Sequence, residues 1–153
     1  MMVKKQDVHQ SLDAAAHWCA AQGYKLTAQR REVLALLLSH GQAIKAYPLL
    51  TQLQQQRATA APTTVYRALN FLVTVGLVHH LEASSRFIAC QHQHKPHQAL
   101  LLICQCCNRV DELDSALWPQ QLQQYTLPLG FSPKPQDIEI YGTCYQCMKV
   151  YDD

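Results

Sequence analysis

Apolar residues in the first half of the chain recur at steps of three and four residues, the spacing typical of amphipathic helices. Thr27 is the expected N-cap of the second helix, and Thr63 or Thr64 the expected cap of the fourth. Gly23 and Gly41 provide stops after the first two. The predicted helices cover residues 8–22, 28–39, 46–56 and 65–75.

Two short apolar runs, residues 77–82 and 86–90, follow the fourth helix and are separated by Ala-Ser-Ser. Such runs predict a β-hairpin. Helices followed by a hairpin are typical of a winged helix-turn-helix, with residues 65–75 as the element for the DNA major groove. An ordinary small helical core with a hairpin would share this pattern.

The pattern changes after a polar, histidine-rich connector at residues 91–98. Continuous or alternating apolar runs predict strands at 99–103, 110–113 and 137–142, and residues 115–127 predict a helix. The fold class is therefore α+β: a winged helix-turn-helix domain (1–90), the connector (91–98), and a small α/β domain (99–153).

Net charge is divided unevenly along the 153 residues. Residues 1–82 contain eight Lys/Arg and four Asp/Glu, whereas residues 83–153 contain five and seven. A basic first half suits a polyanion such as DNA, although an uneven solvated surface gives the same count. Neither a membrane span nor a secretory signal is evident, so we expect a cytoplasmic protein with no membrane partner.

The strongest signal is a pair of CxxC motifs, each at the end of a predicted strand: Cys104 with Cys107, and Cys144 with Cys147. Two intervening residues let a tight turn place both thiolates on one ion, and two such turns complete a tetrahedron suited to zinc. The pattern predicts a structural zinc site.

Cys106 could replace a neighbouring ligand, but Asn108 can adopt the left-handed backbone that favours Cys104 and Cys107. A thioredoxin-like redox role would need one CxxC at a helix start, and two pairs argue against it.

A second group of imidazole, thiolate and carboxylate side chains lies around the connector, and such a mixture is typical of zinc. One ion bound by a subset would couple the two domains. The alternative is a polar linker beside a core cysteine. The predicted sensor ligands are His79, Cys90, His97 and Glu112, with His80, His92 and His94 as possible substitutes.

Three segments together with the CxxC pairs resemble the ferric uptake regulator family, and within it the zinc-sensing branch. These segments read LTAQRREVL (26–34), AY (46–47) and PTTVYRAL (62–69). The resemblance covers residues 12–150. Iron-sensing members carry His-His-Asp-His before the first CxxC, where this chain has His-Lys-Pro-His at 94–97. Asn108 and Ala28 replace common Gly and Pro residues.

The resemblance implies a homodimer that binds an AT-rich inverted repeat in double-stranded DNA when zinc-loaded and represses zinc-uptake genes. On this basis residues 1–90 are the expected DNA-binding domain, and residues 99–153 the expected dimerisation and zinc-binding domain. The resemblance places the family's sensor and structural ligands on the two predicted sets, which amounts to two Zn²⁺ per subunit.

DNA contacts are predicted on the fourth helix and its surroundings. Tyr66 and Arg67, early on that helix, can reach base edges or phosphates, although Tyr66 could instead pack in the core. Tyr47 resembles a base-contacting position of the family. The remaining predicted DNA-binding residues are Thr63 and Thr64, with Lys25, Arg30 and Arg31 as phosphate contacts.

Other functions remain open at this stage. A family member sensing iron, manganese or peroxide is disfavoured by Cys90, because harder ions prefer oxygen and nitrogen. A zinc hydrolase would need an open coordination position and a general base, and no HExxH or Ser/His/Asp arrangement occurs. We therefore expect no enzyme and no small-molecule substrate. A zinc-buffering module without DNA binding is disfavoured by the basic first half.

Overall fold

The computed structural model describes residues 5–91, 98–113, 117–134 and 137–151. The chain divides into two compact units, Met1–Pro96 and His97–Asp153. Most of the predicted connector lies outside the described residues. None of the described helices combines the length and apolar character needed to cross a bilayer.

Four helices form most of the first unit, as the apolar periodicity predicts. Thr27 caps the second, accepting a hydrogen bond from the backbone N–H of Arg30, and Gly41 ends it with a left-handed backbone at φ 70°. A side chain at that φ would be strained, so Gly41 suits the stop. The helices are α1 (Lys5–Ala21), α2 (Ala28–His40), α3 (Ala46–Gln56) and α4 (Pro62–Thr74).

The expected cap of α4 is wrong. Ala61 occupies the N-cap position without a side-chain hydrogen bond, and Pro62 begins the helix. Proline suits the first helical position because its missing N–H would have no helical partner there. Thr63 and Thr64 therefore lie inside the first turn.

A three-stranded antiparallel sheet completes the first unit, in the order β1-β3-β2. The predicted hairpin is confirmed as β2 (Val78–Leu81) and β3 (Arg86–Ala89). The sequence analysis missed β1 (Ile44–Lys45), which pairs with β3, because two residues are too few to display an alternating pattern. Helices plus this sheet form the expected winged helix.

The second unit contains a three-stranded sheet in the order β5-β4-β6. Strands β4 (Leu100–Cys104) and β5 (Val110–Leu113) are antiparallel, and β4 pairs in parallel with β6 (Ile138–Gly142). Helix α5 (Trp118–Thr126) and a short 3₁₀ turn (Leu127–Leu129) lie between β5 and β6. Helix α6 (Tyr145–Tyr151), which was not predicted, starts just after Cys144.

The first unit should lose stability when its core is truncated. Leu37 is 1% exposed, so Leu37→Ala should lower the free energy of unfolding by about 2–5 kcal/mol, as cavity-forming substitutions do. Leu36→Ala, at a partly buried position on the same helix, is the matched control and should cost less. Urea denaturation followed by circular dichroism measures both, and equal losses would contradict this assignment of the core.

Candidate metal centre and nucleic-acid interface

Four cysteine sulfurs gather in the second unit. The Sγ atoms of Cys104, Cys107, Cys144 and Cys147 lie within 4.8 Å of one another, and those of Cys107 and Cys144 are 3.8 Å apart. Zinc–sulfur bonds of about 2.3 Å place two sulfurs of a tetrahedron about 3.8 Å apart. The spacing and chemistry of these residues therefore fit a zinc ion.

Parallel pairing of β4 and β6 is what brings the two CxxC motifs together. Cys104, the last residue of β4, lies opposite Gly142, the last residue of β6, and the N–H of Gln105 donates to the Gly142 carbonyl over 2.8 Å. Strands β4 and β6 therefore end side by side, at the same end of the sheet. Cys144 follows two residues later, and Cys147 lies in the first turn of α6.

The first CxxC forms a tight turn held by backbone hydrogen bonds. The N–H of Asn108 donates to the Cys104 carbonyl over 2.9 Å, and Asn108 has φ 61°, the left-handed conformation expected for it. Cys106 is exposed and does not belong to the four-sulfur group. The turn thus directs the Cys107 side chain toward the other three sulfurs and leaves the Cys106 side chain exposed.

The four thiols are not equivalent. The backbone N–H of Cys144 donates to the Cys104 Sγ over 3.3 Å, and with the N–H of Cys107 it lowers the pKa of the Cys104 thiol to about 6. Hydrogen bonding to the thiol of Cys144 raises the pKa of the Cys147 thiol. The thiols of Cys104 and Cys147 therefore differ in how readily they lose the proton that metal ligation displaces.

Two predicted sensor ligands meet on the hairpin of the first unit. His79 lies on β2 opposite Ile88, and Cys90 follows β3, where its N–H donates to the Leu77 carbonyl over 2.9 Å. Both side chains are buried, at 4% and 2% exposure. A ring nitrogen of His79 and the Sγ of Cys90 lie within 4.8 Å of each other, so both could bind one ion.

The remaining predicted sensor ligands belong to the second unit. Glu112 lies on β5 opposite Leu101 and is buried. In the described parts of the chain, the buried polar or charged side chains are those of His79 and Glu112. His97, with the possible substitutes His92 and His94, lies outside the described residues.

His80, another possible substitute, has a packing role. Its ring stacks on that of Phe87, with centroids 4.5 Å apart and an interplanar angle of 14°. The His80 side chain therefore packs against the neighbouring strand of the hairpin. His79 and His80 thus point to different surroundings, as successive residues of a strand do.

Helix α4 presents its polar side chains on one face. Its buried residues are Val65, Ala68, Leu69 and Leu72, and the opposite face exposes Tyr66 at 52%, together with Arg67. Exposure of Tyr66 argues against its packing in the core. Thr63 is exposed and Thr64 half-buried on the first turn.

A groove of about 660 Å³ lies beside this face. Tyr47, which is 76% exposed at the start of α3, lines it with Tyr66, and the hairpin contributes Ser85 and Phe87. None of the lining residues is acidic, so a phosphate backbone could approach without meeting a carboxylate. Three elements thus converge on one accessible surface.

The three predicted phosphate-contacting residues differ in whether their side chains already have partners within the protein. The guanidinium of Arg30 lies 3.5 Å from the Phe71 ring centroid and donates to the Lys25 carbonyl over 2.7 Å. Arg31 donates to the Asp13 carboxylate over 2.9 Å, which lowers the pKa of Asp13. Both arginines therefore already have partners within the first unit, whereas the side chain of Lys25 is exposed.

The sequence analysis overlooked Lys45 and Asn70, which also line the groove. Asn70 could have been found from helix periodicity, because it lies four residues after Tyr66 and three after Arg67 on a predicted helix. Lys45 gave no such signal, because its position depends on the unpredicted strand β1.

Comparison with known proteins gives consistent matches over most of the chain. The model of the ferric uptake regulator family matches residues 21–141. The zinc uptake regulation protein of Escherichia coli (strain K12) is 34% identical over 149 residues, which cover 97% of this chain and 87% of that protein. That of Mycobacterium tuberculosis (strain ATCC 25618 / H37Rv) is 29% identical over 131 residues, covering 84% and 98%.

Solved structures agree with these matches. A zinc uptake regulator complexed with zinc and DNA has a TM-score of 0.86 and 33% identity, covering 95% of this chain and 98% of that one. Holo XcZur has a TM-score of 0.82 and 38% identity, covering 92% and 98%. On the extent of the family match and the identity to curated relatives, this chain belongs to the ferric uptake regulator family.

Proposed function

We propose that this protein is a zinc-responsive transcriptional repressor. It acts as a homodimer that binds an AT-rich inverted repeat in double-stranded DNA when its sensor site holds zinc, and it represses zinc-uptake genes. Each subunit takes two Zn²⁺, one structural and one regulatory. Its relatives include zinc uptake regulators, one of them solved with both zinc and DNA.

One observation carries this proposal: a buried pair of soft metal donors lies on the hairpin of the helix-turn-helix unit itself. His79 and Cys90 lie within 4.8 Å of each other. His79 belongs to β2 and Cys90 directly follows β3, and both strands follow α4 in the chain. Imidazole and thiolate are both ligands that zinc accepts. A metal response is thereby attached to the DNA-reading unit.

The sensor ligands we propose are His79, Cys90, His97 and Glu112. Zinc is usually bound by four ligands in a tetrahedral arrangement. These residues would provide one thiolate, two imidazoles and a carboxylate, a mixture that favours zinc over harder ions. Because the donors come from both units, occupancy favours the arrangement in which all four converge and so shifts its population.

The four-cysteine group would hold the structural zinc. It joins the edge where β4 and β6 end to the first turn of α6. A seven-residue helix is too short to be stable alone, so thiolate ligation would keep α6 against the sheet. This site is proposed to support folding of the second unit rather than to regulate it.

The DNA surface would consist of the exposed face of α4 and the groove beside it. Arg67 has the geometry to donate two hydrogen bonds to a guanine edge, and Tyr66 and Tyr47 can contact thymine methyl groups or phosphates. Thr63, Thr64 and Lys25 would contact the backbone nearby. Since Arg30 and Arg31 are engaged by Phe71 and Asp13, their phosphate contacts would be the weaker ones.

Homodimerisation is proposed through the second unit. It exposes many large apolar side chains, which a soluble monomer seldom displays in number and which mark interaction surfaces. None of the residues of α5 is fully buried, so much of this helix is accessible to a partner subunit. The exposed apolar residues include Leu117, Tyr125, Leu127, Leu129, Phe131, Met148 and Val150.

Zinc-dependent DNA binding is the first test. Fragmented genomic DNA from the source organism is incubated with the purified protein at buffered high or vanishingly low free zinc, and retained fragments are sequenced. We expect a few discrete AT-rich palindromes, retained only at high zinc. Equal retention at both levels would contradict the switch, and no retention at either would favour zinc buffering without DNA binding.

Arg67→Ala should reduce affinity for the retained fragments about 10- to 100-fold, since a bidentate base contact contributes about 1–3 kcal/mol. Arg57→Ala is the control, because Arg57 is an α3-capping residue paired with Glu32. Fluorescence anisotropy at saturating zinc measures both. Unchanged affinity for Arg67→Ala would overturn the assignment of α4.

Cys90→Ser should retain one zinc per subunit but lose the zinc dependence of DNA affinity, a coupling of about 5- to 150-fold in typical switches. The matched control is Cys19→Ser, another buried cysteine of the first unit, which lies in the hydrophobic core. Metal content is measured by mass spectrometry and DNA affinity by anisotropy. A zinc response of wild-type size in Cys90→Ser would show that Cys90 is not a sensor ligand.

Cys107→Ser should remove the structural zinc and lower the unfolding temperature, because metal binding contributes directly to folding. Its neighbour provides the control: Cys106→Ser changes an exposed thiol outside the four-sulfur group and should retain both zinc content and stability. Metal analysis with calorimetry distinguishes the two variants. The reverse result would exchange the roles of the adjacent cysteines.

A further inference from the structure

Asn70 occupies the third turn of α4, on the same face as the proposed DNA contacts. It follows Tyr66 by four residues and Arg67 by three, and side chains at those spacings are neighbours on a helix. Asn70 is exposed and lines the groove with Tyr47 and Tyr66. Asn70 therefore lies one helical turn beyond Tyr66 and Arg67, on the same face of α4.

The carboxamide of Asn70 is available for an outside partner. The hydroxyl of Thr74 donates to the Asn70 backbone carbonyl over 2.8 Å, and this bond does not involve the Asn70 side chain. Within the described parts of the chain, no hydrogen bond to this carboxamide is found. Asparagine is also a poor helix former compared with alanine, so its presence at an exposed helical position has no local structural benefit.

A carboxamide pairs selectively with one base in the major groove. Its oxygen accepts from adenine N6 while its nitrogen donates to adenine N7, and both bonds form in one plane. Guanine presents two acceptors along the same edge, and cytosine presents a donor without the neighbouring acceptor. An asparagine at a base edge therefore discriminates adenine from the other bases.

We propose that Asn70 is a specificity-determining residue that reads one adenine in each half of the operator. This inference rests on the proposed function, because it requires α4 to enter the major groove. Arg67 and Asn70, one turn apart on the same face, would then read separate base pairs. The lack of acidic residues around the groove permits the close backbone approach that such a contact needs.

The test is a selection from random duplexes with full-length, zinc-saturated protein, comparing wild type, Asn70→Ala and Gln55→Ala. Gln55 carries an exposed carboxamide on α3 and does not line the groove, so Gln55→Ala is the matched control. We expect Asn70→Ala to lose the adenine preference at one position per half-site while retaining the others. Gln55→Ala should retain every preference.

Affinities give a second, quantitative readout. Asn70→Ala should bind the sequence selected by wild type about 10- to 100-fold more weakly, and replacing that adenine should cost wild type a similar factor but cost Asn70→Ala nothing. Asn70→Asp, which can only accept hydrogen bonds when ionised, should instead favour cytosine there. Thermal unfolding of each variant controls for folding.

The contrary outcomes are distinct. Retention of every base preference by Asn70→Ala would overturn the proposal, as would a uniform loss of affinity for all sequences, which would indicate a phosphate contact. Failure of the wild-type protein to select any sequence at saturating zinc would instead contradict the proposed function itself.

Discussion

Burial of one face of α4 is the constraint on which the recognition surface depends. Val65, Ala68, Leu69 and Leu72 enter the core of the first unit, and at 3.6 residues per turn this leaves only one direction for the residues between them. Tyr66, Arg67 and Asn70 then project together. Because burial in the core fixes the backbone of α4, these side chains project from a helix that is already ordered, and DNA binding does not have to order the helix itself.

The hairpin that follows α4 likewise positions functional side chains through its backbone pairing. Antiparallel pairing of β2 and β3 places His79 opposite Ile88, and a slip of that register by one residue would turn every side chain to the other face. Cys90 is then held one residue past β3. The metal donors are therefore positioned by the strands that also shape the recognition groove, through Phe87 and Ser85.

In the second unit, the parallel pairing of β4 and β6 brings the four cysteines together. Parallel strands end at the same edge, so two CxxC turns separated by 36 residues of sequence meet there. The hydrogen bond from the Cys144 N–H to the Cys104 sulfur lowers the pKa of the Cys104 thiol, whereas hydrogen bonding to the Cys144 thiol raises the pKa of the Cys147 thiol. Four converging sulfur atoms are the donor set of a zinc site that contributes to folding.

The sequence by itself determined what depends on local spacing. Helix periods, the Thr27 cap, the hairpin and both CxxC pairs are local patterns, and the left-handed Asn108 follows from the chemistry of a tight turn. Only the tertiary structure decided what depends on partners distant in sequence. It paired the two-residue β1 with β3, formed α6 beside Cys144, and placed the guanidinium of Arg30 over the Phe71 ring. It also set Asn70 beside Tyr47, because a helix pattern gives a residue's face but not the neighbours that surround it once the core has formed.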